Sequence, residues 1–457
     1  MCIDRLTPPS PSRHETAGFI VLSLLLLAPL AVSGSANVNE KMGFVLPRVH
    51  SGDEPHYLIQ INSLLDDGDL DLANNYAAVH MGGDAAGQYN SGAALDHHVG
   101  WFVDGRIIYW NAFYESDPDL WDIDESGHFT PTLRSDVSAK SVPTGLPEYP
   151  RGSPWLAIIL AVILCPLQGT AWVEPAAIAC STVAVVASLF MFRSLVSPYS
   201  KNSRDLFLAA SITFLGTPIW HYGQTLFTEP YLLLCVLGAY TAYLRHSKQF
   251  AAGCFLATAI LIKPAYVLLV LPLAGDLLVG KNWLGLCRLA VPCLGAVLLF
   301  TSFNQSLYGS WRLAQRWRDG DAVFGAVALI FSPEHGLLAI APVTLVALAA
   351  SAEFVRRRTR DALILLSAAF LHFELVSSFE GWSGGYCYGP RHLVPILPFL
   401  LAAIPGAGGQ ATFSGATAAR RTVLALCGLS IILNAIAAIF VGYVFSVHPG
   451  TLISNIF

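Results

Sequence analysis

Stretch after stretch of this chain is apolar for the length of a membrane-crossing helix. After a first block at 18–32, such stretches recur near 155–168, 172–192, 206–221, 230–244, 251–262, 265–279, 285–303, 336–353, 361–378, 392–405 and 422–445. A helix needs about 20 mostly apolar residues to cross a hydrocarbon core roughly 30 Å thick. Lipid offers no water to unsatisfied backbone groups, so serial blocks of this kind fold as a helical bundle. Composition agrees. Hydrophobic residues make up 54% of the 457, charged residues 12%, and mean hydropathy is +0.55, whereas a soluble domain is about one-quarter charged. The expectation is an all-α polytopic membrane protein.

Net charge is −5, and Arg356-Arg357-Arg358 is the longest basic run, which argues against nucleic acid as a partner. The nine cysteines are scattered, most within apolar blocks, as with Cys180, Cys235 and Cys254. None has the spacing of a zinc or redox site, and they read as small core residues.

Arg5 and Arg13 precede the first block and Ser33-Gly34-Ser35-Ala36 follows it, a pattern that mimics a secretory signal. With so many blocks behind it, it reads as an uncleaved first span. The chain then divides into 1–36, the N-terminus and first span; 37–171, a segment polar to about residue 153; and 172–457, the bundle. Lysine and arginine gather in short loops on the cytoplasmic side. Here they cluster at Arg193/Lys201/Arg204, Arg245/Lys248, Lys281/Arg288, Arg356 to Arg360 and Arg420-Arg421. Placing those loops and the N-terminus inside requires one block before Arg193 not to cross. The block 155–168, opening at Pro154-Trp155 and holding Pro166, is assigned to the outer interface. About eleven spans result, and 37–171 becomes a first outer loop carrying juxtamembrane helices.

The rare polar residues then fall on the outer side. Asp53-Glu54-Pro55-His56-Tyr57 places adjacent carboxylates where they can bind a divalent cation or take a proton from a hydroxyl; the same residues would serve as a helix N-cap. Glu229, in Thr228-Glu229-Pro230, opens a span otherwise uncharged through Tyr243. An ionisable group there is costly and points to function, although it also suits the positive end of a helix dipole. Lys263 interrupts Ala257 to Ile262 before Pro264, where it would attract a lipid phosphate or simply snorkel to headgroups. The segment Gly381 to His392 is glycine- and aromatic-rich and ends in Arg391. Arginine offers a planar charged fork for phosphate oxygens, and glycines let backbone N–H groups approach an anion. Asp66, Asp67, Asp69 and Asp71 read as a solvated turn, and His97-His98 lacks further ligands at metal spacing.

These residues resemble the GT-C glycosyltransferases related to protein mannosyltransferases and the lipid A aminoarabinose transferase, in a bacterial uncharacterised branch. The resemblance is carried by Asp53-Glu54-Pro55-His56-Tyr57, Asp67-Gly68-Asp69-Leu70 with Asn75-Tyr76, Tyr149-Pro150-Arg151-Gly152-Ser153-Pro154, Thr228-Glu229-Pro230 and Tyr388-Gly389-Pro390-Arg391, in this order across most of the chain. It implies inverting transfer of a sugar from a polyprenyl-phosphate donor to a hydroxyl of a lipid or glycan acceptor, at the periplasmic face of the inner membrane. Asp53, with Glu54 beside it, would match the family's acidic residue in the first outer loop, as general base or metal ligand. Glu229 would match the second acidic position, catalytic or, with Asp53, a ligand of Mg or Mn if a divalent cation is used. Lys263, Arg391 and Tyr388 would hold the donor phosphate. The chain ends soon after its last block, so the large soluble C-terminal domain of some relatives is not expected. A transporter or flippase of a lipid-linked or anionic substrate is the rival class. It would place its charges mid-membrane and not, as here, at outer helix ends.

Overall fold

The structure, a computed structural model, describes residues 13–32, 49, 54–70, 100–103, 106–109, 121–123, 129–133, 139–141, 154–170, 172–200, 202–308, 311, 319–385, 387–408 and 417–439. It forms two compact units. One comprises Met1–Pro47, Ala179–Phe300 and Trp317–Phe457, and the other Arg48–Ile178 and Thr301–Arg316.

The body of the chain is helical, as expected of an integral membrane protein. Among the described residues, Val173–Tyr199, Trp283–Ser306 and Arg420–Ile439 are long and apolar enough to cross a bilayer, and six further apolar helices are shorter. The expected count of about eleven spans therefore does not rest on helix length, because proline and turns cut several blocks into pieces. Trp155–Leu164 rises only about 15 Å before a 3-10 turn containing Pro166. Pro264–Leu269 is likewise a 3-10 turn that feeds Val270–Val279.

In the smaller unit the helix Glu54–Asp66 packs on Trp155–Leu164, and the Gln168 amide donates to the Leu65 carbonyl. The rings of Trp155 and Phe303 lie 5.5 Å apart. This unit also holds five short strands that an all-helical reading does not anticipate. Gly100–Val103 pairs antiparallel with Arg106–Tyr109 and with Ala139–Ser141, and Trp121–Ile123 pairs with Phe129–Leu133. Their aromatic and β-branched residues suit a pleated sheet.

The larger unit is organised by a helical hairpin. Glu229–His246 runs one way and Gln249–Ile262 returns. The turn between them uses Ser247 in the left-handed region, with φ of 50°. Small residues let the helices close. A Cβ on Gly238 would lie 2.8 Å from the Phe255 ring, and one on Gly253 would lie 2.5 Å from the Leu289 carbonyl oxygen of the neighbouring Trp283–Tyr308 helix. Close backbone approach is what holds helices together where lipid removes the hydrophobic drive.

At the His246 end of the hairpin, ion pairs join distant segments. Arg245 bonds Asp361 at 2.9 Å, and Asp361 also accepts from the Tyr199 hydroxyl at 2.8 Å. Arg360 holds Asp276 through two bonds of 2.9 and 2.7 Å, with the Tyr243 hydroxyl on the same carboxylate. Arg193 pairs with Glu15, which accepts from Ser203 as well. Basic residues from three of the clusters grouped by the sequence, at Arg193, Arg245 and Arg360, are thus tied to acids on other helices.

Candidate functional site

The other end of the same hairpin carries the site. Glu229 is the first residue of its helix, and Pro230 sits in the first turn, where its missing N–H removes no helical bond. A carboxylate there also meets the positive end of the helix dipole. The returning helix stops at Lys263 because Pro264 follows. A residue before proline favours extended backbone, and Lys263 adopts φ −145° and ψ 106°. The two helices rise about 25 and 20 Å, so a residue 34 positions on in sequence comes back beside the starting point. The Lys263 ammonium donates to Glu229 Oε1 at 2.9 Å. Glu229 is 1% exposed, whereas the lysine side chain is 31% exposed. The pair thus joins a buried carboxylate to a lysine whose side chain is partly open.

A third segment adds Arg391 and His392. The 3-10 turn Arg391–Ile396 opens with them, and Arg391 is buried with its guanidinium 5.0 Å above the Phe227 ring. His392 Nδ1 lies 3.7 Å from Glu229 Oε1, the atom that Lys263 also bonds. The turn is anchored from behind by His372, whose Nε2–H donates to the His392 carbonyl at 2.9 Å. His372 in turn stacks on Tyr266, ring centres 4.8 Å apart. In the loop before the turn, Gly384 takes φ of 80°, and a Cβ there would fall 2.8 Å from Arg391 Cγ and Nε. Glycine is required twice over, for the left-handed backbone and for the space the arginine fills.

Three of the expected residues, Glu229, Lys263 and Arg391, thus converge from separate segments. Tyr388 belongs to the same loop, but its ring is buried against His221, with centres 4.9 Å apart, and near Ile340 and Ala437. Its carbonyl accepts from the Tyr222 hydroxyl at 2.9 Å, which ties the loop to the helix at Ile219–Tyr222. Asp53 lies outside the described residues. Glu54 opens the helix Glu54–Asp66 of the smaller unit and is buried.

Among the described residues, the donors at Glu229 do not by themselves fit a divalent cation. They offer one carboxylate, whose Oε1 is held by an ammonium and whose Oε2 accepts from Thr228 at 3.3 Å, and an arginine stands beside it. A metal would have to displace Lys263. Among the described residues no three His, Cys, Asp or Glu side chains are grouped as ligands. Taken together the site suits an anion.

Sequence reasoning assigned no role to His392, His372, His221 or Tyr222. Their only signal is a run of imidazole and phenol groups in otherwise apolar stretches, which also describes ordinary core residues.

No family model matches the chain, and no curated protein does. Solved structures do. ArnT from Cupriavidus metallidurans, in the apo state, superposes with a TM-score of 0.53 at 12% identity, over 96% of this chain and 77% of ArnT. A structure of the same protein bound to undecaprenyl phosphate aligns with a TM-score of 0.49 at 13% identity, over 97% and 78%. At that identity the likeness is one of fold: the chain shares the fold of ArnT.

Proposed function

We propose that this chain, built on the fold it shares with ArnT, is an inverting glycosyltransferase of the inner membrane. It takes a sugar from a polyprenyl-phosphate donor and delivers it to a hydroxyl of a lipid or glycan acceptor on the periplasmic side. One observation carries this reading: Lys263 bonds Glu229 at one end of the helical hairpin, and the turn opened by Arg391 brings its next residue, His392, to 3.7 Å from the same carboxylate oxygen. A lone buried cation is costly. Two basic groups gathered on one carboxylate leave the cluster positive and suited to a phosphate.

The transfer follows from charge. The acceptor oxygen bonds to the anomeric carbon as the bond from that carbon to the phosphate oxygen breaks. The bonding pair stays on that oxygen, and the acceptor proton passes to a carboxylate. Asp53 is assigned as that base through the family resemblance, with Glu54 beside it. The phosphate goes from a singly charged diester to a doubly charged monoester. Cations fixed beside it favour the charge that develops, and more strongly where water is excluded. Arg391 supplies a rigid fork, Lys263 a point charge on a flexible stem, and Tyr388 fixes the loop that carries Arg391.

The test is transfer by the purified protein in lipid, with a panel of polyprenyl-phosphate sugars and released polyprenyl phosphate as the readout. Release by the parent and none by Asp53→Asn supports the reading and names the donor. Equal release by the variant overturns the assignment of Asp53, and no release from any donor favours the transporter class.

A further inference from the structure

We infer that Glu229 is neither base nor metal ligand but a built-in competitor for the carrier phosphate, a positioning residue that holds Lys263 back so that the product can leave. The inference rests on the glycosyl-transfer reading above. Its ground is geometric. A general base must reach the proton it takes, yet Glu229 is 1% exposed and both its oxygens are engaged, Oε1 by Lys263 at 2.9 Å and Oε2 by Thr228 at 3.3 Å. His392 Nδ1, 3.7 Å from Oε1, closes a further side. What remains partly accessible is the lysine side chain.

The need for such a residue comes from the charge change during transfer. The departing polyprenyl phosphate carries one more negative charge than the donor did, so any cation that helps the reaction also binds the product more tightly. A release step of this kind limits turnover in many enzymes. A fixed carboxylate on the far flank of Lys263 offsets part of its attraction for phosphate. When product leaves, the ammonium returns to a partner already in place, which avoids leaving a charge without a counterion in a largely dry site. Glu229 weakens binding of the carrier and speeds its exchange.

The experiment is binding of undecaprenyl phosphate to the full chain in nanodiscs, with undecaprenol as the uncharged control. Glu229→Gln keeps the shape and removes the charge. It should lower the Kd for undecaprenyl phosphate about tenfold, equivalent to about 1.4 kcal/mol, and leave undecaprenol unchanged. A merely structural role would not tighten binding. Glu229→Asp, which keeps the charge but withdraws it by one methylene, should tighten binding by a smaller factor and guards against poor folding of the first variant. Lys263→Ala and Arg391→Ala separate the two levels of the argument. If they weaken binding while Glu229→Gln leaves it unchanged or weaker, the competitor role is overturned and the phosphate site stands. If neither weakens binding, the phosphate site itself fails, and the role of Glu229 with it.

Discussion

The hairpin helix Glu229–His246 has charge at both ends, and the two ends are built to different rules. At the Arg245 end, Glu15, Asp361 and Asp276 each hold an arginine, and tyrosine or serine hydroxyls fill out each carboxylate. Charges satisfied in this way fasten helices to one another. At the Glu229 end Lys263 bonds the buried carboxylate, and the turn opened by Arg391 brings His392 to 3.7 Å from the same oxygen. Exposure of the cation does not separate the ends, since Arg360 is 53% exposed and Lys263 31%; burial of the acid does, Glu229 being 1% exposed and Asp276 18%. Charge in an apolar protein is therefore not by itself a sign of a site; what sets the Glu229 end apart is a fully buried acid at a helix start, met by a lysine from one segment and a histidine from another.

Substitutions can break or sharpen that contrast. The largest effect is expected for Arg391→Ala. It should lower kcat/KM for transfer by about a hundredfold or more, the scale on which a donor aimed at developing charge acts, while the protein still inserts and unfolds at its usual temperature. Steady-state kinetics and a thermal scan would check both halves. Gly384→Ala should come next, because its Cβ would push on the Arg391 stem and its backbone would be strained. About a tenfold loss of kcat/KM is expected, with little change in expression.

At the other end the readout should switch. Asp361→Asn leaves Arg245 and Tyr199 without their carboxylate and should cost about 2 kcal/mol of stability. That would appear as a lower unfolding midpoint and lower yield, with turnover per folded molecule unchanged. Arg356→Ala should do least. Its pair with Glu353 is solvent-exposed, and exposed pairs contribute little. Loss of turnover from Asp361→Asn at full stability would erase the distinction between the ends.

The contrast explains what could be read in the sequence. Glu229, Lys263 and Arg391 stood out because ionisable residues are costly beside apolar blocks, and each is flanked by a proline that ends or starts a segment. Their meeting was not legible, since it depends on a hairpin whose arms have similar length and whose closeness is set by Gly238 and Gly253. His392 was hidden for another reason. A histidine after arginine carries no pattern of its own, and its value arises from sharing Glu229 Oε1 with Lys263. Span counting from apolar blocks went further than helix length supports, because a block such as 265–279 is divided between the 3-10 turn Pro264–Leu269 and the short helix Val270–Val279. The first strand pair did carry a signal, since Trp101-Phe102-Val103 and Ile107-Ile108-Tyr109 flank Asp104-Gly105, a hairpin sequence that an all-helical reading passes over.

The central claim is that the Lys263 and Arg391 end receives a polyprenyl phosphate. The most direct test titrates undecaprenyl phosphate into the purified protein in nanodiscs and repeats the titration with Lys263→Ala/Arg391→Ala. The account predicts saturable binding by the parent and loss of that binding in the double variant, with undecaprenol ignored by both. Equal affinity in parent and double variant would contradict it.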